Sequence, residues 1–295
     1  MLSPTDHQQS VTDHTPFITR LAPTPTGLLH LGHARTFAAT HRLARDAGGR
    51  VHLRIEDLDT ARCRPEFTEA AIDDLRWLGL DWDGEIIYQS QRRASYETAW
   101  TRLRDRDLIY PCSRSRKDVR DAALAPHAED EEPLYPVAWR PAVGAATDHL
   151  SPLGLNWRLR VPDGEAITFD DGRIGPTTFV AGDDFGDFLV WNRDNIPAYE
   201  LAVVVDDIAM GITEVIRGED LLLSTARQIL IYRALGARPP KFRHLPLVLD
   251  ENGRRLAKRH AALSLHTLRE RGTEPSDVAR QKCFRWKRQN LFRFR

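Results

Sequence analysis

Arg20-Leu-Ala-Pro-Thr-Pro-Thr-Gly-Leu-Leu-His-Leu-Gly-His-Ala-Arg35 is the stretch on which the fold turns. Its prolines and Gly27 keep residues 23–27 out of any helix. Just before it, Phe17 to Ala22 reads as a short strand. From Leu31 to Ala47 apolar residues recur at helical spacing, and Gly48-Gly49 closes the run. Val51 to Ile55 reads as a second strand. Strand, tight loop, helix, strand is a βαβ unit, so the sheet should begin parallel. The start of that helix is suited to phosphate: its free N–H groups carry partial positive charge, and Gly27 and Gly32 permit close backbone approach. His30 and His33, three apart, share one helical face and can donate to phosphate oxygens. The plain alternative is a capped helix with two surface histidines, and four residues taken alone favour it.

Further along, helices are predicted at Pro65 to Leu78 and Gln91 to Arg106. The first has proline near its start and Gly79 after its end. Arg120 to Pro141 is acidic and proline-bearing and reads as loop. Asn156 to Val161, Thr178 to Val180 and Phe188 to Asn192 read as short strands. Helical pattern returns at Tyr199. Ile212 to Arg217 is a strand, Leu221 to Leu235 an apolar helix, and Phe242 to Leu249 a strand before a polar turn at Asp250 to Gly253. This divides the chain into an unstructured extension (1–15), a first half-sheet (16–110), an insertion (111–194), a second half-sheet (195–262) and a C-terminal helix and tail (263–295).

Lysine plus arginine and aspartate plus glutamate each number 42. That balance excludes a general basic coat, so a nucleic-acid partner must be gripped locally. Three scattered cysteines make no disulfide framework, and a reducing cytoplasm is expected. No apolar run is long enough to span a membrane.

The run from Arg20 to Arg35 resembles the first signature of class I aminoacyl-tRNA synthetases, in the glutamyl and glutaminyl branch. Arg54-Ile-Glu-Asp-Leu-Asp59 resembles the next block of that family. Pro197-Ala-Tyr199 through Asp207 and Gly211 through Arg217-Gly-Glu-Asp220 resemble its second-half blocks. The resemblance implies an α/β fold: a Rossmann-type parallel sheet with a small α+β insertion domain. It implies activation of L-glutamate by ATP with Mg2+. Glutamate carries two carboxylates and an ammonium, so a selective pocket needs a fixed cation and a carboxylate. Arg20 and Glu56 end adjacent predicted strands, where open α/β sheets bind ligands. By the resemblance, Arg20, Ala22, Thr24, Glu56, Tyr199 and Arg217 face glutamate, with Arg217 taking a carboxylate. The alternative for Arg217 is a surface pair with Glu219 or Asp220. Thr24 stands where the family usually has serine.

Glu251-Asn-Gly-Arg-Arg-Leu-Ala-Lys258-Arg-His260 looks like the family's Lys-Met-Ser-Lys-Ser type loop. Arg255 and Ala257 replace the first lysine and the serine, while Lys258 is kept. Adenylate formation is an in-line displacement that builds negative charge on pyrophosphate, so positioned positive charge is the main catalytic need. The resemblance gives His30, His33 and Lys258 the catalytic work. Pro23, Gly27, Gly32 and Arg255 join them around ATP. The plain alternative is a solvated basic turn.

Many relatives bind zinc through Cys-x-Cys and Tyr-x-x-x-Cys. Here Cys112 and Tyr135 match, but Arg114 and Trp139 stand at the other two positions. A thiolate, a phenol, a cation and an indole make no tetrahedral zinc site, so zinc is expected to be absent and Trp139 to pack in its place. Few residues follow Lys258, leaving no room for an anticodon-reading region. That matches the glutamyl-queuosine subgroup of the family, which implies transfer of glutamate to queuosine in the anticodon of tRNA(Asp). A truncated enzyme charging tRNA(Glu) and a non-catalytic paralogue that binds glutamate or ATP remain open alternatives. A monomer is expected. In the tail, 273–295, basic and aromatic residues interleave, which reads as an RNA-contact segment or as a disordered terminus.

Overall fold

The computed structural model describes residues 15–115, 117–119, 133–146, 148–248 and 264–280. β1 (Ile18–Leu21), α1 (Leu31–Asp46) and β2 (Arg50–Ile55) form the expected unit, with β1 and β2 parallel and Arg20 opposite His52. α2 (Pro65–Trp77) follows. β3 (Ile87–Tyr88) then pairs parallel to β2, and α3 (Arg93–Asp105) follows. β3 is two residues long and has no sequence signature, which is why it was not expected.

Next comes an antiparallel sheet, ordered β4 (Ile109–Cys112), β5 (Asn156–Leu159), β8 (Phe188–Trp191). The expected division at residue 110 cuts through β4. Pro111 hid that strand, and proline is tolerated there because β4 lies at the sheet edge. Between β5 and β8 runs a hairpin, β6 (Ala166–Asp171) and β7 (Gly175–Val180). It joins neither neighbour. Instead β6 pairs with β10 (Lys241–Leu245) at Phe242↔Asp171, extending the sheet in which β10 lies parallel to β9 (Glu214–Gly218). β10 stops at Leu245 rather than running on toward Leu249. Pro246 lacks the N–H that the next ladder bond needs.

The two parallel sheets meet edge to edge. Thr213 N donates to Ile18 O at 2.9 Å, and Ile18 N donates to Thr213 Oγ1 at 2.9 Å. Two larger apolar cores are present among the described residues. One gathers Leu21, Leu31, Val51, Leu53, Ile55 and Leu75 with Leu265, Leu268 and Val278. The last three come from two short C-terminal helices, α6 (Leu265–Glu270) and α7 (Pro275–Arg280). The other joins α3 and the antiparallel sheet to α4 (Tyr199–Ala209) and α5 (Leu222–Ala234). At its centre Trp100 meets Trp157 edge to face at 4.8 Å. A buried indole removes on the order of 200 Å² from water, about 5 kcal/mol at about 25 cal/mol/Å². The insertion is thus fused to the second half-sheet by core packing.

Candidate functional site

His30 is the N-cap of α1. Its Nδ1 accepts from Gly32 N at 3.1 Å, and His33 Nδ1 accepts from His30 N at 3.2 Å. The rings stack with centroids 3.8 Å apart. An imidazole that accepts at Nδ1 carries its proton on Nε2 when neutral, so both rings are set as Nε2–H donors. A Cβ at position 32 would lie 2.9 Å from His30 Cε1, so glycine there lets the imidazole keep its place. The helix N-terminus and the paired imidazoles together suit an anionic oxygen cluster. One feature was missed in the sequence. Ser264, six residues after Lys258, forms an antiparallel bridge with His30, and Leu265 N donates to Leu29 O at 2.8 Å. Ser264 and Leu265 are thereby held against the histidine loop. Arg255 and Lys258 themselves lie outside the described residues.

Behind this loop is a buried charge network. Arg20 Nε donates to Asp207 Oδ1 at 3.0 Å. Arg54, fully buried, donates to the same oxygen at 2.5 Å and to Glu56 Oε1 at 3.1 Å. Thr24 Oγ1 donates to Glu56 Oε2 at 3.2 Å, and Glu56 N donates to Pro23 O at 3.0 Å, fixing the 22–27 loop to the end of β2. Asp206 accepts from Gln89, Arg92 and Tyr96 at 2.6–2.9 Å. Burial raises, and Arg20 and Arg54 more than offset, the Asp207 pKa, which ends below the usual carboxylate range. Arg54, Asp206 and Asp207 stood inside quoted motifs without a role. Only the fold shows that Asp207 orients Arg20.

Arg217 sits on β9, 5% exposed. It makes no surface pair with Glu219, whose partner is Arg173 at 2.6 Å. Its Nε donates to His244 Nε2 at 3.2 Å and its NH2 to Thr225 Oγ1 at 2.6 Å. NH1 is buried and has no hydrogen-bond partner among the described residues. A buried guanidinium held along one edge with an unsatisfied nitrogen is prepared for a carboxylate. Tyr199, at the start of α4, brings the two halves together. Its hydroxyl lies in the fields of Arg217, Glu56, Glu200 and Arg20, and burial pushes its pKa up to about 12. The residue still keeps 39% of its surface accessible. A side chain at the mouth of a concave cleft combines both properties. Arg20, Glu56 and Arg217 thus lie around Tyr199, and Thr24 is hydrogen-bonded to Glu56. Ala22 and Pro23 form the loop between Arg20 and Thr24.

The family model for class I tRNA synthetases (E and Q), catalytic domain, matches residues 16–286. The chain belongs to that family. A protein of Symbiobacterium thermophilum named glutamyl-Q tRNA(Asp) synthetase is 48% identical, over 88% of this chain and 83% of the relative. One of the same name from Rhodobacter capsulatus is 40% identical, over 89% of this chain and 98% of the relative. Among solved structures, the glutamate-tRNA synthetase of Elizabethkingia anophelis superposes with a TM-score of 0.70 at 30% identity. That match covers 83% of this chain but 53% of the other, so the chain spans about half of that longer synthetase.

Within this family the insertion is where zinc is implied. Here Cys112 Sγ meets Tyr135 OH at 3.2 Å and accepts from Arg114 N at 3.3 Å. The Arg114 guanidinium lies 4.7 Å from the Trp139 ring centre, and Trp139 meets Tyr135 edge to face at 5.6 Å. One thiol, one phenol and a stacked cation do not fit a zinc ion. Asp187 anchors the same region, accepting from Tyr110 at 2.5 Å and from Arg140 at 2.6 and 2.7 Å. Among the described residues no helix is long and apolar enough to cross a membrane.

Proposed function

We propose that this protein activates L-glutamate with ATP as glutamyl-adenylate and passes the glutamyl group to queuosine in the anticodon of tRNA(Asp). The observation that carries the reading is the buried Arg217 with its unpartnered NH1, facing the same cleft as Arg20, Glu56 and Tyr199. Arg217 holds one carboxylate of glutamate, and Glu56, positioned by Arg54 and Thr24, holds the ammonium. The α-carboxylate then attacks the α-phosphorus of ATP. A new P–O bond forms, the bond to the β-phosphate oxygen breaks, and pyrophosphate leaves. Mg2+ accompanies ATP as part of the substrate. His30 and His33 donate through Nε2–H to phosphate oxygens, and Lys258 with Arg255 offsets charge on the leaving group. In the second step a hydroxyl of the queuosine ring attacks the acyl carbon and AMP departs. Proximity supplies most of that acceleration, because an acyl-phosphate is already reactive.

The relatives that match along nearly their whole length bear the glutamyl-Q name, which favours tRNA(Asp) over tRNA(Glu). The protein works in the cytoplasm, as a monomer and without zinc, the zinc position being filled by the Arg114–Trp139–Tyr135 stack. Glutamate-dependent exchange of pyrophosphate into ATP without tRNA, followed by transfer to queuosine-containing tRNA(Asp), is expected. Transfer to tRNA(Glu) instead would return the chain to the charging enzymes.

A further inference from the structure

Arg217 is gripped by a chain of polar groups that begins in the insertion. Asp171, at the end of β6, is 2% exposed. Its Oδ1 accepts from Arg173 N at 3.0 Å and Ile174 N at 2.9 Å, which fixes the turn of the hairpin. Its Oδ2 accepts from His244 N at 2.9 Å and from His244 Nδ1 at 2.7 Å. His244, on β10, is fully buried. Because Nδ1 carries the proton, the neutral ring presents a bare Nε2, and that lone pair receives Arg217 Nε. Thr225 on α5 accepts NH2 of the same guanidinium. The hairpin tip is clamped besides, since Arg173 donates to His244 O and pairs with Glu219 at 2.6 Å.

The geometry points to Asp171 and His244 as positioning residues for the glutamate site, turning the end-on fork of Arg217 into the pocket. A guanidinium can offer a carboxylate either its Nε edge or its NH1/NH2 end. Here the Nε edge is occupied by His244 and Thr225, so the end with the orphaned NH1 remains for the ligand. The Asp171 carboxylate, one imidazole away, balances the buried cation. A neutral imidazole is essential, because a protonated one would point a second N–H at Arg217. The β6–β7 hairpin, which leaves the insertion to join β10, thereby acts on a pocket it does not line.

This inference rests on the proposed glutamate reading, and two measurements keep the two separable. The first is steady-state exchange by three variants. His244→Leu removes both links and is expected to raise the glutamate KM about tenfold or more, the scale of a lost hydrogen bond to a charged group, with the ATP KM unchanged. His244→Gln places an amide oxygen near the Nε2 position and is expected to restore most of the glutamate affinity. His244→Asn, which can reach only Asp171, is expected to behave like the leucine variant. Equal effects of Gln and Leu, or a parallel rise in the ATP KM, would overturn the assignment. The second measurement is the nitrogen NMR spectrum of His244 in the wild-type protein without substrate. A protonated Nδ1 and a bare Nε2 at neutral pH are expected, and an Nε2–H tautomer would overturn the relay. A wild-type protein inert toward glutamate would strike down the functional reading, while the tautomer would still decide the relay.

Discussion

At Asp207 two guanidinium groups share one carboxylate, and all three side chains are at least nine-tenths buried. Removing the acid takes from buried Arg20 the carboxylate it is bonded to and leaves Arg54 with Glu56 and Asp206, so Asp207→Asn is expected to cost about 3–5 kcal/mol in denaturant unfolding at pH 7. The pocket would lose its geometry with it. At His244 the sign runs through protons. Burial, and then the Arg217 charge, hold its pKa down to about 4, against an ordinary value near 6.5. Between those values the unfolded chain binds a proton that the native protein does not. Stability should therefore fall as pH drops through that window, by up to about 3 kcal/mol at about 1.4 kcal/mol per unit. His244→Leu should lose that slope; an unchanged slope would assign it elsewhere. Sequence reading singled out Arg20, Glu56, Tyr199 and Arg217 because each stands in a contiguous motif. It gave no role to Asp171, Asp207 or His244, because the side chains they hold are 27 to 187 positions away in sequence and only tertiary packing joins them.

Among the elements, those with a local signal were legible. α1 and α2 declared themselves by apolar spacing and terminal Pro or Gly, and β1 and β2 by the motif between them. β6 was given no assignment, although Ile167 and Phe169 point to one face. α6 and α7 were expected only as a helix and tail, yet they carry Leu265, Leu268 and Val278 into the first core. Their docking places Arg269 3.7 Å from the buried Asp74 of α2, whose Oδ2 lacks a hydrogen-bond partner among the described residues. Burial, incompletely offset by Arg269, pushes the Asp74 pKa up to about 6 from 3.8. In the native state this acid holds its proton to higher pH than in the unfolded chain, so the helix contact weakens as pH rises through that interval. Asp74→Asn should raise the unfolding temperature at pH 8 and leave it nearly unchanged at pH 4; a fall at pH 8 would mean that the charge is needed. In the insertion, Trp139→Ala should destabilise by about 1–2 kcal/mol through lost packing and cation–π contact. A strong zinc chelator should leave the wild-type melting curve where it was. A shift on chelation would show that a metal holds this region.

For the whole molecule, function depends on two halves of a sheet meeting along a short seam at Ile18 and Thr213, with charge crossing from α4 to the ends of β1 and β2. That arrangement brings Arg20 and Glu56 of the first half and Arg217 of the second around Tyr199. The match covers 53% of the longer synthetase on which the chain superposes. The most direct test of the proposed activity is transfer of labelled glutamate in the presence of ATP to two purified tRNAs, tRNA(Asp) with queuosine and tRNA(Asp) without it. The account expects label only on the queuosine-containing tRNA, preceded by pyrophosphate exchange that needs no tRNA. Equal label on both tRNAs, or label at a 3′ end with none on queuosine, would contradict it.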